Sequence, residues 1–308
     1  MPSLPNYRDP KGVVCVTFLN GVESVVYSRD LSGPGARARI ATPKPSQSLY
    51  RRFLRDTAKA GLPPGPGPDE IVTEDDLASL PATVRRYMEF MGVAGRPKDW
   101  SFRARFVGRF RLRPHADWLP AEAWQYNTAL EVGRVYRMRI GFAFMLPMTG
   151  KDTYLRGRGQ MLGKLVGLFK VAEGHGDEFD IGGLTTYLND AVLLAPSFLL
   201  GPNTNWSEVD DDSFDVTLAD GGRRVTARVS VDERGAPVDF STTDRFADLP
   251  GGLVRAKWTT PTPVWLSGAD RPVPGPASAV WHLADGPLPY IEGRFIPESI
   301  AYNVAPGS

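Results

Sequence analysis

The sequence is poor in the residues that covalent staples and metal sites require. One cysteine, Cys15, stands among 308 residues, so an intramolecular disulfide is impossible and a zinc-finger set of thiolates is excluded. The three histidines, His115, His175 and His282, lie far apart and without ligand spacing, which leaves a zinc site without support. An excess of one charge is missing too. Thirty-six Lys and Arg face 35 Asp and Glu, a net charge of +1, too little to recruit nucleic acid or an anionic membrane without specific contacts. No apolar run reaches the roughly 18 residues of a membrane-spanning helix. The nearest, 161–172 and 191–200, are broken by Lys164 and Lys170 and by Pro196 and Ser197. Neither a phosphate loop, a GxGxxG fingerprint nor a GxSxG elbow occurs. These absences predict no cofactor, no metal, no nucleic-acid partner and no integral membrane span. Residues 1–11 are polar and proline-bearing with no secretory pattern, and with the single cysteine they predict a cytoplasmic location.

Turn formers are abundant instead. The 32 glycines and 28 prolines gather at 32–45, 62–68 and 271–276, and between them lie short runs of β-branched and aromatic residues, which points to sheet rather than a helical bundle. No internal repeat of roughly 20 to 50 residues is present. The run Leu62-Pro-Pro-Gly-Pro-Gly-Pro68 can neither continue a helix nor enter a central strand. It separates an N-terminal arm, 1–68, partly ordered with a strand at 13–19 and a helix near 49–59, from a single β-rich domain, 69–308. That domain opens with a helix start at Thr73 and a second helical turn after Pro81, where Val84, Met88 and Met91 share a face.

From Trp100 the period changes to two. In 102–113 Phe102, Ala104, Phe106, Phe110 and Leu112 alternate with Arg103, Arg105, Arg109, Arg111 and Arg113. In 134–144 Tyr136, Met138, Ile140, Phe142 and Phe144 oppose Arg137 and Arg139, and in 122–130 Trp124, Tyr126 and Leu130 oppose Gln125 and Asn127. Phe214 to Val231 folds back at Asp220-Gly-Gly222, and Val238 and Phe240 follow a second turn at 232–235. Further strands are predicted at 253–260, 278–283 and 290–296. The fold class is therefore α+β, mostly antiparallel β, as a curved sheet or half-barrel. Within it, 161–172 and 184–194 read as two apolar helices of a helical insertion at about 161–200, placed on the concave side because a helix without a polar face must be covered all round.

An apolar pocket between sheet and helices would be lined by Phe106, Trp124, Tyr126, Phe142, Tyr187, Asn189, Asp190, Asp244 and Trp258. Asp244 continues the inward phase of Val238, Phe240 and Thr242, with Arg245 falling outside, so its carboxylate needs a partner or a raised pKa. Asn189 and Asp190 pose the same question within the apolar helix. Candidates for acid or base are Asp244, Asp190 and His282, with Tyr154 or Tyr290 orienting. The stripe Arg103, Arg105, Arg109, Arg137 and Arg139 reads either as an anion-binding surface or as a solvated outer face whose stems cover apolar surface.

Six segments in order, Leu80-Pro-Ala-Thr-Val-Arg-Arg-Tyr87, Trp100-Ser-Phe-Arg-Ala-Arg-Phe106, Asp152-x-Tyr-x-x-Gly-x-Gly159, Leu184-Thr-Thr-Tyr-Leu-Asn-Asp190, Val225-Thr-Ala-Arg-Val with Asp232-Glu-Arg-Gly235, and Thr243-Asp-Arg245, resemble a bacterial family of unknown function, DUF6544, over about residues 75–304. The resemblance brings no activity and no catalytic residues. Members often begin with membrane-spanning helices, where this sequence has a polar arm. By fold analogy, a curved sheet with helices in its mouth is similar to the half-barrels of bacterial lipoprotein carriers, which hold acyl chains.

The leading expectation is a binding protein for an apolar small molecule or lipid. The rival is an isomerase- or cyclase-type enzyme acting on a hydrophobic metabolite in the same pocket. A third reading is a peripheral membrane or partner-binding protein using the arginine face. A homo-oligomer is compatible with all three.

Overall fold

The computed structural model describes residues 44–111, 113, 116–141, 148–165, 169–249, 251–268 and 270–308, together with the strand backbone of 13–16 and 25–28. Contacts divide the chain into two compact units, Met1–Gln47 and Ser48–Ser308. The first holds an antiparallel pair, β1 (Val13–Val16) and β2 (Val25–Ser28).

The second unit opens with three helices, α1 (Gln47–Ala58), α2 (Glu74–Ala78) and α3 (Ala82–Phe90). A reciprocal cap starts α2: the Asp76 amide donates to Thr73 Oγ1 at 3.3 Å, and the Thr73 amide donates to Asp76 Oδ2 at 2.7 Å. In α3, Val84, Tyr87 and Met88 are buried. The strands follow in chain order: β3 (Ser101–Phe110), β4 (Leu119–Thr128), β5 (Gly133–Ile140), β6 (Met148–Leu155), β7 (Arg158–Leu165) and β8 (Phe169–Gly174). Then come the long helix α4 (Asp177–Leu194) and a 3-10 turn, Pro196–Leu199. Beyond them lie β9 (Thr204–Asp210), β10 (Ser213–Asp220), β11 (Arg223–Val231) and β12 (Pro237–Thr242). Short strands succeed these: β13 (Phe246–Leu249), β14 (Gly252–Arg255), β15 (Lys257–Thr259), β16 (Trp265–Ser267) and β17 (Pro272–Pro274). The last are β18 (Ala277–Leu283), β19 (Gly286–Phe295) and β20 (Ala301–Tyr302).

Fourteen of these strands form one antiparallel sheet in the order β8-β7-β6-β5-β4-β3-β19-β18-β15-β12-β11-β10-β9, with β20 also on β3. The sheet does not close, since β8 and β9 remain its two ends. Register shifts at Gly163/Lys164, Ser213/Phe214, Ser230/Val231 and Ala279/Val280 supply bulges that bend such a sheet. It curls around α4, which packs on β5, β6 and β7 from one arm and on β10 and β11 from the other. The fold class read from the periodicity stands: mostly antiparallel, curved and open.

Two elements differ from the sequence reading. Of residues 161–172, those described, 161–165 and 169–172, lie in the strands β7 and β8 instead of a helix, which leaves α4 as the long helix the sheet curls around. A short apolar run does not separate buried strand from buried helix by periodicity, and here Met161 and Gly163 alternate with Leu162 and Lys164 across the sheet. Residues 253–260, read as one strand, divide between β14 and β15, which belong to different sheets. Among the described residues no helix is long and apolar enough to cross a membrane.

One carboxylate in this frame is poorly matched to its surroundings. Burial pushes the Asp239 carboxyl up to about 6, and neither Lys257 nor the Phe240 and Thr260 amides reverse the shift. Its Oδ1 is buried without a partner. A carboxyl raised on folding contributes stability that is present below its unfolded pKa of about 3.9 and lost as pH rises through its folded pKa. Asp239→Asn is therefore expected to flatten the decline in stability between pH 4 and 7.5. Because the residue is half-buried and solvent screens it, the gain at pH 7.5 is set at about 1 kcal/mol. Urea midpoints of both proteins at the two pH values measure this, and parallel profiles would contradict it.

Candidate ligand chamber

The site is organised by α4. Every residue from Gly183 to Leu194 is buried, so the helix must be covered on all sides, and its ends are tied by side chains of the surrounding sheet and of α3. At the C-terminal end, where helix carbonyls lack intrahelical donors, Tyr87 donates to the Val192 carbonyl at 2.8 Å and Tyr302 to that of Leu194 at 2.9 Å. Burial pushes both hydroxyls above the usual tyrosine range, so they remain donors. At the N-terminal end Asp177, Glu178 and Asp180 face the positive pole of the helix. Asp180 accepts from the Gly159 amide at 2.6 Å and pairs with Arg223 at 2.6 Å and Arg158 at 3.1 Å.

The two arms of the sheet meet over this end. Tyr154 donates to Asp220 at 2.8 Å, and Arg223 donates to the Gly157 carbonyl at 3.1 Å. A Cβ on Gly157 would lie 2.8 Å from Gly221 Cα, and both glycines have positive φ, +73° and +56°. The alternate glycines of the sequence thus serve a close backbone approach. A Cβ on Gly159 would overlap the Phe179 carbonyl of α4.

Toward the C-terminal third of the helix, at Asp190, an ionic layer crosses β4, β5 and β6. Arg134 reaches Asp190 of α4 through Nε at 2.7 Å and Asp152 through Nη1 at 2.7 Å, while Asn127 donates to Asp190 at 3.2 Å. The guanidinium lies 4.7 Å from the Tyr136 ring centroid. Burial lowers the Arg134 pKa, but Asp190 and Asp152 outweigh it and hold the group above its usual value, so it stays charged. Asn127 stands opposite Arg134, Gln125 opposite Tyr136, and Tyr136 opposite Asp152, so all share the concave face. Gln125 Nε2 and Asn127 Oδ1 are buried without partners.

Past this layer the helix no longer covers the sheet. Phe102 and Ala104 are fully buried. The next inward positions, Phe106 and Phe110, are half-buried, as are Met138 of β5 and Tyr290 and Phe295 of β19. Phe106 packs edge-on to Phe295 at 5.7 Å and Phe110 edge-on to Tyr290 at 5.8 Å. Gly150 stands opposite Met138, and a Cβ built there would meet nothing within 4 Å. The far wall is aromatic. Trp281 stacks on Tyr290 at 6.1 Å, and Trp258 Nε1 donates to the Tyr290 hydroxyl at 3.1 Å. The Arg245 guanidinium lies 3.9 Å from the Trp258 ring centroid, with Nη1 buried and unpartnered. Together these side chains form a partly exposed apolar patch on the concave face, beside Gln125, Arg134 and Tyr136 and with the Arg245 cation against its aromatic edge. Among the described residues no group of three or more His, Cys, Asp or Glu could hold a metal ion.

A family model described as a family of unknown function, DUF6544, matches residues 70–293. The chain belongs to the DUF6544 family. No curated protein matches the chain. Among solved structures, a LolA superfamily protein from Nitrosomonas europaea is similar at 12% identity and TM-score 0.35, over 74% of this chain and 92% of that one. A DUF1329 family protein from Desulfovibrio piger is similar at 10% identity and TM-score 0.39, over 72% and 92%.

Within the DUF6544 segment the structure scatters some of the residues nominated from sequence. Phe106 is half-buried on the concave face, and Trp258 is buried beside Phe240. Asp190 and Asn189 lie in the buried layer beneath it, with Thr260 donating to Asn189 Oδ1 at 2.6 Å. Tyr187 is buried against Phe198 and donates to the Thr128 carbonyl at 3.1 Å. Trp124 and Tyr126 require correction. Phe106 pairs with Ala123 and Phe102 with Asn127, so the two aromatics face outward, beneath α1. Asp244 and Arg245 exchange the roles expected of them. The strand β12 ends at Thr242, and the Asp244 carboxylate turns to accept from the Thr226 amide at 2.9 Å and to pair with Arg255. The inward side chain is Arg245. His282 is exposed, 3.0 Å from Thr259 Oγ1. Phe142 lies outside the described residues.

The arginine stripe is on the outer face and largely engaged. Arg105 pairs with Glu122 at 2.9 Å and Arg139 with the same carboxylate at 3.6 Å. Arg109 binds Glu292, Arg137 binds Asp56, and Arg103 donates to the Ser308 carbonyl. Sequence reasoning missed Gln125, Arg134, Met138, Gly150 and Arg245. For Arg134 the signal was present, since it shares the even phase of Tyr136, Met138 and Ile140.

Proposed function

We propose that the chain binds an apolar or amphipathic small molecule or lipid in the concavity beyond the cover of α4. The carrying observation is the step from fully buried Phe102 and Ala104 to half-buried Phe106 and Phe110 on one face of one strand, with an open Cβ position at Gly150 on the same face of the sheet. An apolar surface of this kind, held concave by a rigid sheet with a few convergent polar groups, matches the ordinary make-up of small-molecule sites. The unpartnered Arg245 Nη1 and Gln125 Nε2 suit a ligand with an acceptor-bearing end. The enzyme reading has less behind it. Asp190 is held by Arg134 and Asn127, Asp244 by Arg255 and the Thr226 amide, and the orienting candidate Tyr154 by Asp220, while His282 is exposed beside Thr259 Oγ1. The single cysteine accords with the cytoplasm as the proposed location.

Gly150→Phe tests the reading, since the new ring would fill the concavity from a strand position that suits an aromatic residue. Uptake of a fluorescent fatty acid is expected to weaken at least about tenfold, a loss of roughly 1.4 kcal/mol, with an unchanged far-ultraviolet spectrum. A wild-type protein that takes up no apolar probe and carries none by native mass spectrometry would end the proposal. So would a Gly150→Phe variant that binds as well as wild type.

A further inference from the structure

On the opposite face of the same strands lies a second site. A cleft of about 400 Å³ separates α1 from β5, β6 and β7, lined by Arg52, Arg55, Arg137, Lys151 and Lys164 and by Gly150 from the back of its strand, with Asp56 as its lone carboxylate. Five cations against one anion concentrate positive charge in a chain whose net charge is only +1. Arg137 and Lys151 are direct cross-strand partners, and like charges in that position repel. Asp56 offsets them in part, bonded to Arg137 and 3.9 Å from Lys151. Arg137 nevertheless keeps a buried Nε without an acceptor, and Arg52 and Arg55 project from the exposed side of α1. The donors come from one helix and three adjacent strands and converge on a volume within the range of small-ligand pockets.

We propose that this cleft binds a phosphate-bearing anion. Phosphate oxygens would satisfy Arg137 Nε and relieve the Arg137–Lys151 repulsion, and the charge-assisted bonds of several cations to one phosphate group are the strong kind. The anion belongs either to a free phosphorylated compound or to a phospholipid headgroup, and the two sources share the same recognition.

The full-length protein is titrated with pyrophosphate by calorimetry and, separately, with vesicles of phosphatidylcholine containing or lacking phosphatidylglycerol. Arg55→Gln combined with Lys151→Gln is expected to weaken binding at least about tenfold, because hydrogen bonds to charged groups contribute about 1.5–3 kcal/mol each. Neither residue is deeply buried, and circular dichroism checks that the variant folds. Arg51→Gln removes one exposed charge from the same helix outside the cleft and is expected to change binding less than about twofold, the near-neutral outcome usual for an exposed charge. Pyrophosphate binding without retention on anionic vesicles assigns a free compound, whereas vesicle retention that pyrophosphate competes away assigns a headgroup. Absence of binding in both arms overturns the proposal, as does equal weakening by Arg51→Gln.

Discussion

Replacing Arg134 with alanine is expected to lower the unfolding free energy by about 3–5 kcal/mol, the usual consequence of leaving a buried charge without its partner. The Arg134 and Asp190 side chains are 5% and 7% exposed, and both reach the interior only as a pair. Without Arg134, Asp190 would retain the 3.2 Å hydrogen bond from Asn127 and no cation, on the part of the helix that is buried throughout. Asp152 would be affected less, being a third exposed on the far side of the guanidinium. Arg134→Met combined with Asp190→Leu removes both charges and is expected to recover most of the loss, since well-packed apolar replacements of buried pairs are often neutral or stabilising. Urea unfolding of the two variants measures the difference. A loss below about 1 kcal/mol in Arg134→Ala would mean that water reaches the layer, and Asp190 would then belong to the wet chamber instead of its dry floor.

The sheet was legible because its strands are buried on one face, so the side-chain period of two is written into the sequence. Phe102 to Phe110, and Phe214 to Leu218 with Val225 to Val231 on either side of a turn, show it. The hairpin of β7 and β8 was illegible for the converse reason. Its apolar run carries a charge only at Lys164 and Lys170, and helix and strand both fit a stretch with so few polar markers. Direction was harder to read than period. In β4 the large aromatics Trp124 and Tyr126 suggested the inner face, yet the inner positions are Ala121, Ala123, Gln125 and Asn127. The small pair makes room where Phe106 and Met138 converge, and Asn127 of the polar pair meets Asp190 of α4. The outer face looks core-like because α1 buries it, a contact between segments some 70 residues apart that no local pattern encodes.

The site shows the same division. Alternation carried Asp244 inward only so long as β12 continued, and the strand stops two residues earlier. Thr242 Oγ1 accepts from the Asp244 amide at 3.0 Å, a local turn that releases the carboxylate outward and brings Arg245 over Trp258. Arg134 and Asp152 could have been found by the test applied to Asp244, because each lies in the apolar phase of its strand. Which carboxylate on α4 would meet them depends on the helix's rotation inside the sheet, and a helix buried on all sides carries no hydrophobic stripe to fix that rotation in advance.

Phe53→Ala is expected to free α1 from the outer face while leaving the sheet and α4 intact. Phe53 is fully buried, its ring 6.0 Å from that of Trp124 and inclined by 25°, and Leu49, Leu62, Tyr126 and Val135 complete the cluster. Truncating a buried phenylalanine costs about 3–5 kcal/mol. A 12-residue helix has little stability of its own in water, so the loss should appear as local opening before it appears as global unfolding. Amide exchange across 49–58 is expected to accelerate at least about a hundredfold, equivalent to roughly 3 kcal/mol of lost protection, with exchange in α4 unchanged. Trp124, whose indole Nε1 is buried without an acceptor, should gain water and shift its emission to the red. Two of the five cations of the basic cleft, Arg52 and Arg55, are carried on α1, so pyrophosphate binding should fall in the same variant while fatty-acid uptake on the concave face persists. Equal acceleration in α1 and α4 would instead make the outer helix part of one cooperative unit with the core, and the two faces of the sheet could then not be perturbed independently.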